Sequence, residues 1–102
     1  MLRRNRFGDL ITRQLRVFAD DEAERLERIR TLRETYARSS AEDAEELYGE
    51  YADEVDWAAE ELEALRDGYA ATLDEETAER YRREFARAVA KALPEIAAAL
   101  GD

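Results

Sequence analysis

The chain has 102 residues, 41% of them charged, and a formal net charge of −10. It contains neither cysteine nor histidine, which excludes disulfides, thiolate metal sites and the commonest general base at neutral pH. Its length corresponds to one domain, and we expect residues 1–102 to form a single helical domain with a basic, flexible arm at residues 1–6. A single proline, four glycines and abundant alanine favour long helices.

The charge is unevenly distributed along the chain. Residues 1–16 carry five arginines and one acid, whereas residues 17–102 carry eleven bases and twenty-five acids. An acidic body repels nucleic acid and anionic membranes, so contact with an anionic surface is expected only through the N-terminal arm. The candidate residues for that contact are Arg3, Arg4, Arg6, Arg13 and Arg16. The simplest interpretation is more local: the arm packs against the acidic body of its own chain or of a second copy.

The first predicted helix covers residues 8–38. Its apolar face comprises Phe7, Leu10, Ile11, Leu15 and Phe18, followed by Ala23, Leu26, Ile29, Leu32 and Tyr36. Asp20 and Asp21 interrupt this pattern, and Asp21 with Glu24 three residues later is a possible new helix cap. We expect one continuous helix, with a bend at most, because no glycine or proline enforces a stop.

The second predicted helix, residues 40–68, has the longest amphipathic pattern. Its apolar residues form two seven-residue series, Tyr48, Val55, Leu62 and Tyr69 in one and Ala44, Tyr51, Ala58 and Leu65 in the other. Such a pattern buries one face along the whole helix. Ser39 followed by Glu42 matches a capping box at its start, and Gly68 is expected to end it in the left-handed conformation. The sequence offers no reason for Gly49, which costs about 1 kcal/mol relative to alanine.

The third predicted helix covers residues 74–93, with Asp74 as its cap. Pro94 disfavours helix at Leu93 and can begin a short last helix. The predicted fold is therefore all-α, an antiparallel bundle of three long helices with a short C-terminal helix. Because the third helix is shorter than the first two by nearly a third, part of the pair formed by helices one and two is expected to lie uncovered.

Catalytic and metal-binding chemistry finds little support in the sequence. The many acids of the second helix fall outside its apolar stripe, where a solvated face explains them, and the only serines, Ser39 and Ser40, are accounted for by capping. No phosphate-binding loop or calcium loop is present. We therefore expect a protein that is not an enzyme and has no cofactor and no metal site.

Six aromatic residues remain to be explained. The five tyrosines recur on predicted inner faces, so their rings are expected to fill the core: Tyr36, Tyr48, Tyr51, Tyr69 and Tyr81. Trp57 lies off the apolar stripe, near Glu61 and Ala64. Either the third helix or the N-terminal arm covers it, or Trp57, Glu61 and Ala64 form an interface, since tryptophan is enriched at binding hot spots.

These observations favour an acidic helical protein that acts as an interaction or self-assembly module. We expect it to form a homo-oligomer, with a dimer favoured, or to bind another helical protein. The alternative is a small regulator or adaptor whose basic N-terminal arm docks on an acidic protein, a nucleic acid or a membrane. No apolar run approaches the roughly 20 residues that span a bilayer, and no continuous apolar stretch follows the basic start as in a signal peptide. We therefore expect a cytoplasmic protein.

Overall fold

The structure, a computed structural model, describes residues 6–101 and is all-α. Of these residues 84% are helical and none is in a strand. The helices are α1 (Gly8–Asp21), α2 (Ala23–Ala37), α3 (Ala41–Ala70), α4 (Glu75–Ala92) and α5 (Pro94–Ala97). The predicted all-α helical bundle is confirmed. Arg3, Arg4 and most of the predicted arm lie outside the described residues.

The predicted first helix is divided in two at Glu22. This residue has φ −111° and ψ 26°, far from helical values, although the Glu22 amide still donates to the Phe18 carbonyl at 3.0 Å. The two halves have different partners: α1 packs against α4, and α2 packs against α3. The expectation of one continuous helix was therefore wrong, because the acidic Asp20–Glu22 segment interrupts the apolar face where the chain changes partner.

The connection between α2 and α3 uses its two serines differently from the prediction. Ser40 is the N-cap of α3, and its hydroxyl oxygen accepts a hydrogen bond from the Asp43 amide at 3.4 Å. The Ser39 hydroxyl instead donates to the Tyr36 carbonyl at 2.7 Å, which satisfies a free carbonyl at the end of α2. The expected Ser39–Glu42 capping box is thus displaced by one residue.

The end of α3 and the cap of α4 differ from the prediction, whereas the start of α5 agrees with it. Helix α3 continues through Gly68 to Ala70, and none of the described glycines has a positive φ. Ala70 is buried, so burial of the next turn outweighs the preference of glycine for a helix end. Asp74 occupies the N-cap position of α4 but makes no side-chain capping bond there, while Pro94 begins α5 as predicted.

The core lies at one end of an elongated molecule. Its fully buried residues come from every helix: Ile11, Ile29, Leu62, Tyr81, Phe85, Val89 and Ile96. The molecule measures 53 × 26 × 22 Å, with a radius of gyration of 15.7 Å, compared with about 13 Å for a compact chain of 100 residues. The additional length comes from α2 and α3, which extend beyond the part of the bundle that contains α4.

Candidate interaction surface

The part of the α2–α3 pair farthest from the core has no buried residue. We call residues 31–54 the outer hairpin; every one of them is exposed or partly exposed. Helix α2 packs closely against α3 and contacts the adjoining α1, whereas none of its Cα atoms lies within 8 Å of a Cα atom of α4 or α5. Two helices over this length are therefore held together by a single contact surface, as the difference in helix lengths predicted.

Three tyrosines cluster on the outer hairpin. The Tyr36 and Tyr48 rings are 5.6 Å apart between centroids, and the Tyr48 and Tyr51 rings are 6.5 Å apart. Tyr36 is 37% exposed and Tyr48 53% exposed. The prediction that these two tyrosines fill the core was wrong, because no third helix covers the α2–α3 pair at this level. We call Tyr36, Tyr48 and Tyr51 the tyrosine cluster.

Tyr81 is part of the core, as predicted, and Tyr69 is partly buried against it. Tyr81 is fully buried, and its ring lies 4.8 Å from that of Tyr69 between centroids. The Tyr81 hydroxyl donates to the Gln14 side-chain oxygen at 2.9 Å. Burial raises the pKa of Tyr81 above its usual value, since a phenolate would lose its hydration there.

The two helices of the outer hairpin differ in charge. Residues 31–38 carry two arginines and one glutamate, whereas residues 41–54 carry seven carboxylates and no base. One arginine closer to the core bridges the helices: Arg25 Nη2 lies 3.1 Å from Glu54 Oε1. The hairpin therefore has a weakly basic edge formed by α2 and a strongly acidic edge formed by α3.

Trp57 is partly buried at the base of this hairpin. The guanidinium carbon of Arg25 lies 3.6 Å from the centroid of the Trp57 ring, within the range of a cation–π interaction. Arg25 of α2 thus covers one face of the Trp57 ring, and Trp57 also packs against the core. Glu61 and Ala64 are exposed. An interface formed by Trp57, Glu61 and Ala64 stays a prediction.

The described part of the N-terminal segment contacts the bundle. The Phe7 amide donates to Glu84 Oε1 at 3.0 Å, and the Phe7 ring is buried against Tyr69 and Tyr81. Arg6, Arg13 and Arg16 are exposed. Their predicted contact with an anionic partner is neither supported nor opposed by this placement, and Arg3 and Arg4 lie outside the described residues.

Arg66 is a buried charge that was not predicted from the sequence. It is 6% exposed, and its Nε atom donates to Asp67 Oδ1 at 2.8 Å. Its Nη1 atom donates to the Gly101 carbonyl, and the Gly101 amide donates to Glu63 Oε2. Hydrogen bonding to Arg66 lowers the pKa of Asp67. The signal was present, because Arg66 lies between Leu62 and Ala70 at a spacing of four residues on the buried face.

Residues 6–101 contain no group of three or more acidic side chains arranged to hold a metal ion. None of the helices in this part of the chain is both long enough and apolar enough to cross a membrane. In the comparisons with known proteins, no family model matches the chain, and neither a curated protein nor a solved structure has detectable similarity to it.

Proposed function

We propose that this protein is a non-enzymatic self-association module in which the outer hairpins of two copies pair. The observation that carries the proposal is the absence of any buried residue over residues 31–54, although both helices continue through this range. Helices in water depend mainly on tertiary packing of an amphipathic face. Pairing with a second hairpin would supply that packing.

The exposed surface supports the same proposal. The molecule exposes 7302 Å², whereas a compact monomer of this mass exposes about 5,900 Å². The excess per chain is larger than the roughly 800 Å² that each partner buries in a standard protein interface. Aromatic side chains are enriched at such interfaces, and the outer hairpin exposes Tyr36 and Tyr48.

The charges favour a second copy of the chain as the partner. In a two-fold dimer the same surface of both copies forms the interface. The basic edge of one outer hairpin can then lie beside the acidic edge of the other, and the reverse contact follows by symmetry. Each copy thereby places arginines near carboxylates, and the tyrosine clusters of the two copies lie at the centre.

Analytical ultracentrifugation tests the proposal. The wild-type protein is expected to sediment as a dimer at high micromolar concentration, and Tyr36→Ser with Tyr48→Ser is expected to sediment as a monomer. Val17→Ser is the matched control, because Val17 is an exposed apolar residue of α1, 52% exposed and outside the hairpin. A wild-type monomer at these concentrations overturns the proposal.

A charge-reversal pair tests the arrangement within the dimer. Arg33→Glu with Arg38→Glu makes the whole outer hairpin acidic, and Glu45→Arg with Glu46→Arg makes the α3 edge less acidic. Each variant alone is expected to dimerise less, and a mixture of the two to form heterodimers, because the introduced glutamates of one chain can then lie beside the introduced arginines of the other. If Trp57→Ala dissociates the dimer and these variants do not, the interface lies around Trp57, Glu61 and Ala64 instead.

A further inference from the structure

A second surface, independent of the outer hairpin, is a groove between α1 and α4 that ends against α2. Its apolar floor includes Leu15, Ala88 and Leu93. Leu15 and Leu93 belong to the buried core, so the floor is part of the rigid bundle. The cavity in this groove has a volume of about 430 Å³, within the range of roughly 300–1,000 Å³ typical of small-molecule sites.

All the charged residues that line this cavity are cations. They are Arg16 of α1, Arg30 of α2 and Lys91 of α4. The chain as a whole has 26 acids and 16 bases. The charge of the cavity lining is therefore opposite in sign to the net charge of the chain. Three helices each contribute one cation to the same cavity.

Among the described residues, only one of these three cations takes part in an ion pair. Arg30 Nη1 donates to Glu27 Oε1 at 3.2 Å, on the exposed surface of α2. Within residues 6–101, neither Arg16 nor Lys91 takes part in an ion pair. An exposed pair such as Arg30–Glu27 is weak, so an anion in the groove can compete for Arg30.

The groove continues toward the start of α1. A neighbouring cavity of about 250 Å³ shares Thr12, Ala88 and Lys91 with the first and reaches Gly8. From Gly8 to Ala19 the groove follows eleven residues of α1, which corresponds to about 16 Å. Its far end is lined by Arg87 and by Glu84, whose Oε1 accepts a hydrogen bond from the Phe7 amide. The end near Arg16 and Arg30 is lined by cations without an acid.

We propose that this groove binds a small anionic amphiphile, with its carboxylate held by Arg16, Arg30 and Lys91 and its alkyl chain lying over Leu15 and Ala88. Apolar burial and a charge-assisted contact would act together, since each methylene removed from water adds to binding. A helical acidic peptide is the less suitable occupant, because its carboxylates are spread along its length whereas the three cations converge on one cavity.

Isothermal titration of the full chain with dodecanoate, below its micelle concentration, tests this proposal. The expected result is saturable binding of one molecule per chain, with affinity at least tenfold weaker in Arg16→Gln with Lys91→Gln. The matched control is Arg13→Gln with Arg80→Gln, which removes the same charge from exposed positions of the same two helices and should change the affinity less than twofold. Ala92→Phe, at the wall of the cavity, should also weaken binding.

Two results overturn the proposal. An equal loss of affinity in the control variant would mean that dodecanoate responds only to overall charge. Binding of a peptide with the sequence of residues 41–56, lost in Arg16→Gln with Lys91→Gln and without any binding of dodecanoate, would assign the groove to an acidic helix. Neither variant changes the outer hairpin, so this test is independent of dimer formation.

Discussion

The guanidinium of Arg25 lies over the ring of Trp57, 3.6 Å from its centroid, and also contacts Glu54. These contacts join α2 to α3 at the base of the outer hairpin. They also contribute to the partial burial of a tryptophan that lies off the apolar stripe. Trp57 is the only tryptophan, so the protein's tryptophan fluorescence reports on the surroundings of this residue.

Replacement of Arg25 is expected to uncover Trp57. Arg25→Ala removes the cation–π contact, and we expect a red shift of Trp57 emission, stronger acrylamide quenching and a loss of about 0.5–1 kcal/mol in the free energy of unfolding. Arg28→Ala, an exposed arginine of the same helix, should leave the emission unchanged. Equal spectra for Arg25→Ala and the wild type would contradict the stacked geometry.

Gly49 is expected to weaken the outer hairpin, and no neighbouring group packs close enough to require a glycine there. A Cβ atom at Gly49 meets nothing within 4 Å, and the same is true at Gly68. Alanine should therefore stabilise either site by about 1 kcal/mol through helix propensity. Because the outer hairpin has no buried residue, Gly49→Ala should mainly slow amide hydrogen exchange in residues 31–54.

The comparison with Gly68 separates local from global effects. Gly68→Ala lies nearer the core, beside buried Ala70, and should raise the midpoint of chemical unfolding more than Gly49→Ala does. If Gly49→Ala raised the global midpoint as much and left local exchange unchanged, the hairpin would not open separately from the core.

Removal of the buried Arg66 is expected to destabilise the C-terminal end of the bundle. Arg66→Ala deprives the Gly101 carbonyl of its donor and Asp67 of one of its two cationic partners, and each lost hydrogen bond costs about 0.5–1.5 kcal/mol. Chemical unfolding should show a lower midpoint, and residues after Pro94 should exchange faster. Arg80→Ala, an exposed arginine of α4, is the control and should change little.

Because of Tyr81, the free energy of unfolding is expected to fall in alkaline solution. Its pKa is raised by burial, so the unfolded state releases the phenolic proton at a lower pH than the folded state does. The stabilisation is fully present below about pH 10, the ordinary tyrosine value, and is lost as the pH rises through the folded pKa. Chemical unfolding measured across this range should reveal the decrease.

Tyr81→Phe isolates this contribution. The variant removes the titrating hydroxyl together with its hydrogen bond to Gln14, so it should be less stable at neutral pH but lose less stability above about pH 10. An unchanged alkaline slope in Tyr81→Phe would assign the effect to other groups. Tyr48→Phe, at an exposed position, provides the comparison.

The sequence by itself determined the helical fold and most of the buried faces. The spacing of Ala78, Tyr81 and Phe85 identified the inner face of α4, and these residues are buried. Pro94 identified the start of α5, because a proline lacks an amide donor and fits the first helical turn. The difference in helix lengths also predicted an uncovered part of the α2–α3 pair.

Only the tertiary structure decided which partner each part of a helix contacts. Periodicity marked Tyr36 and Tyr48 as apolar-face residues, but a pattern along one helix does not show where the neighbouring helix ends. The sequence pattern likewise did not predict the break at Glu22 or the continuation of α3 past Gly68. Burial of neighbouring turns outweighs the local preference of single residues for starting or ending a helix.

The groove and the buried Arg66 illustrate the same limit. Arg16, Arg30 and Lys91 are separated by up to 75 positions in the chain, and only the packing of α1, α2 and α4 brings them to one cavity. Arg66 lay on the predicted buried face, yet its partner Gly101 is 35 residues away. Local periodicity determines which face of a helix is apolar, whereas the contacts between distant segments determine what that face meets.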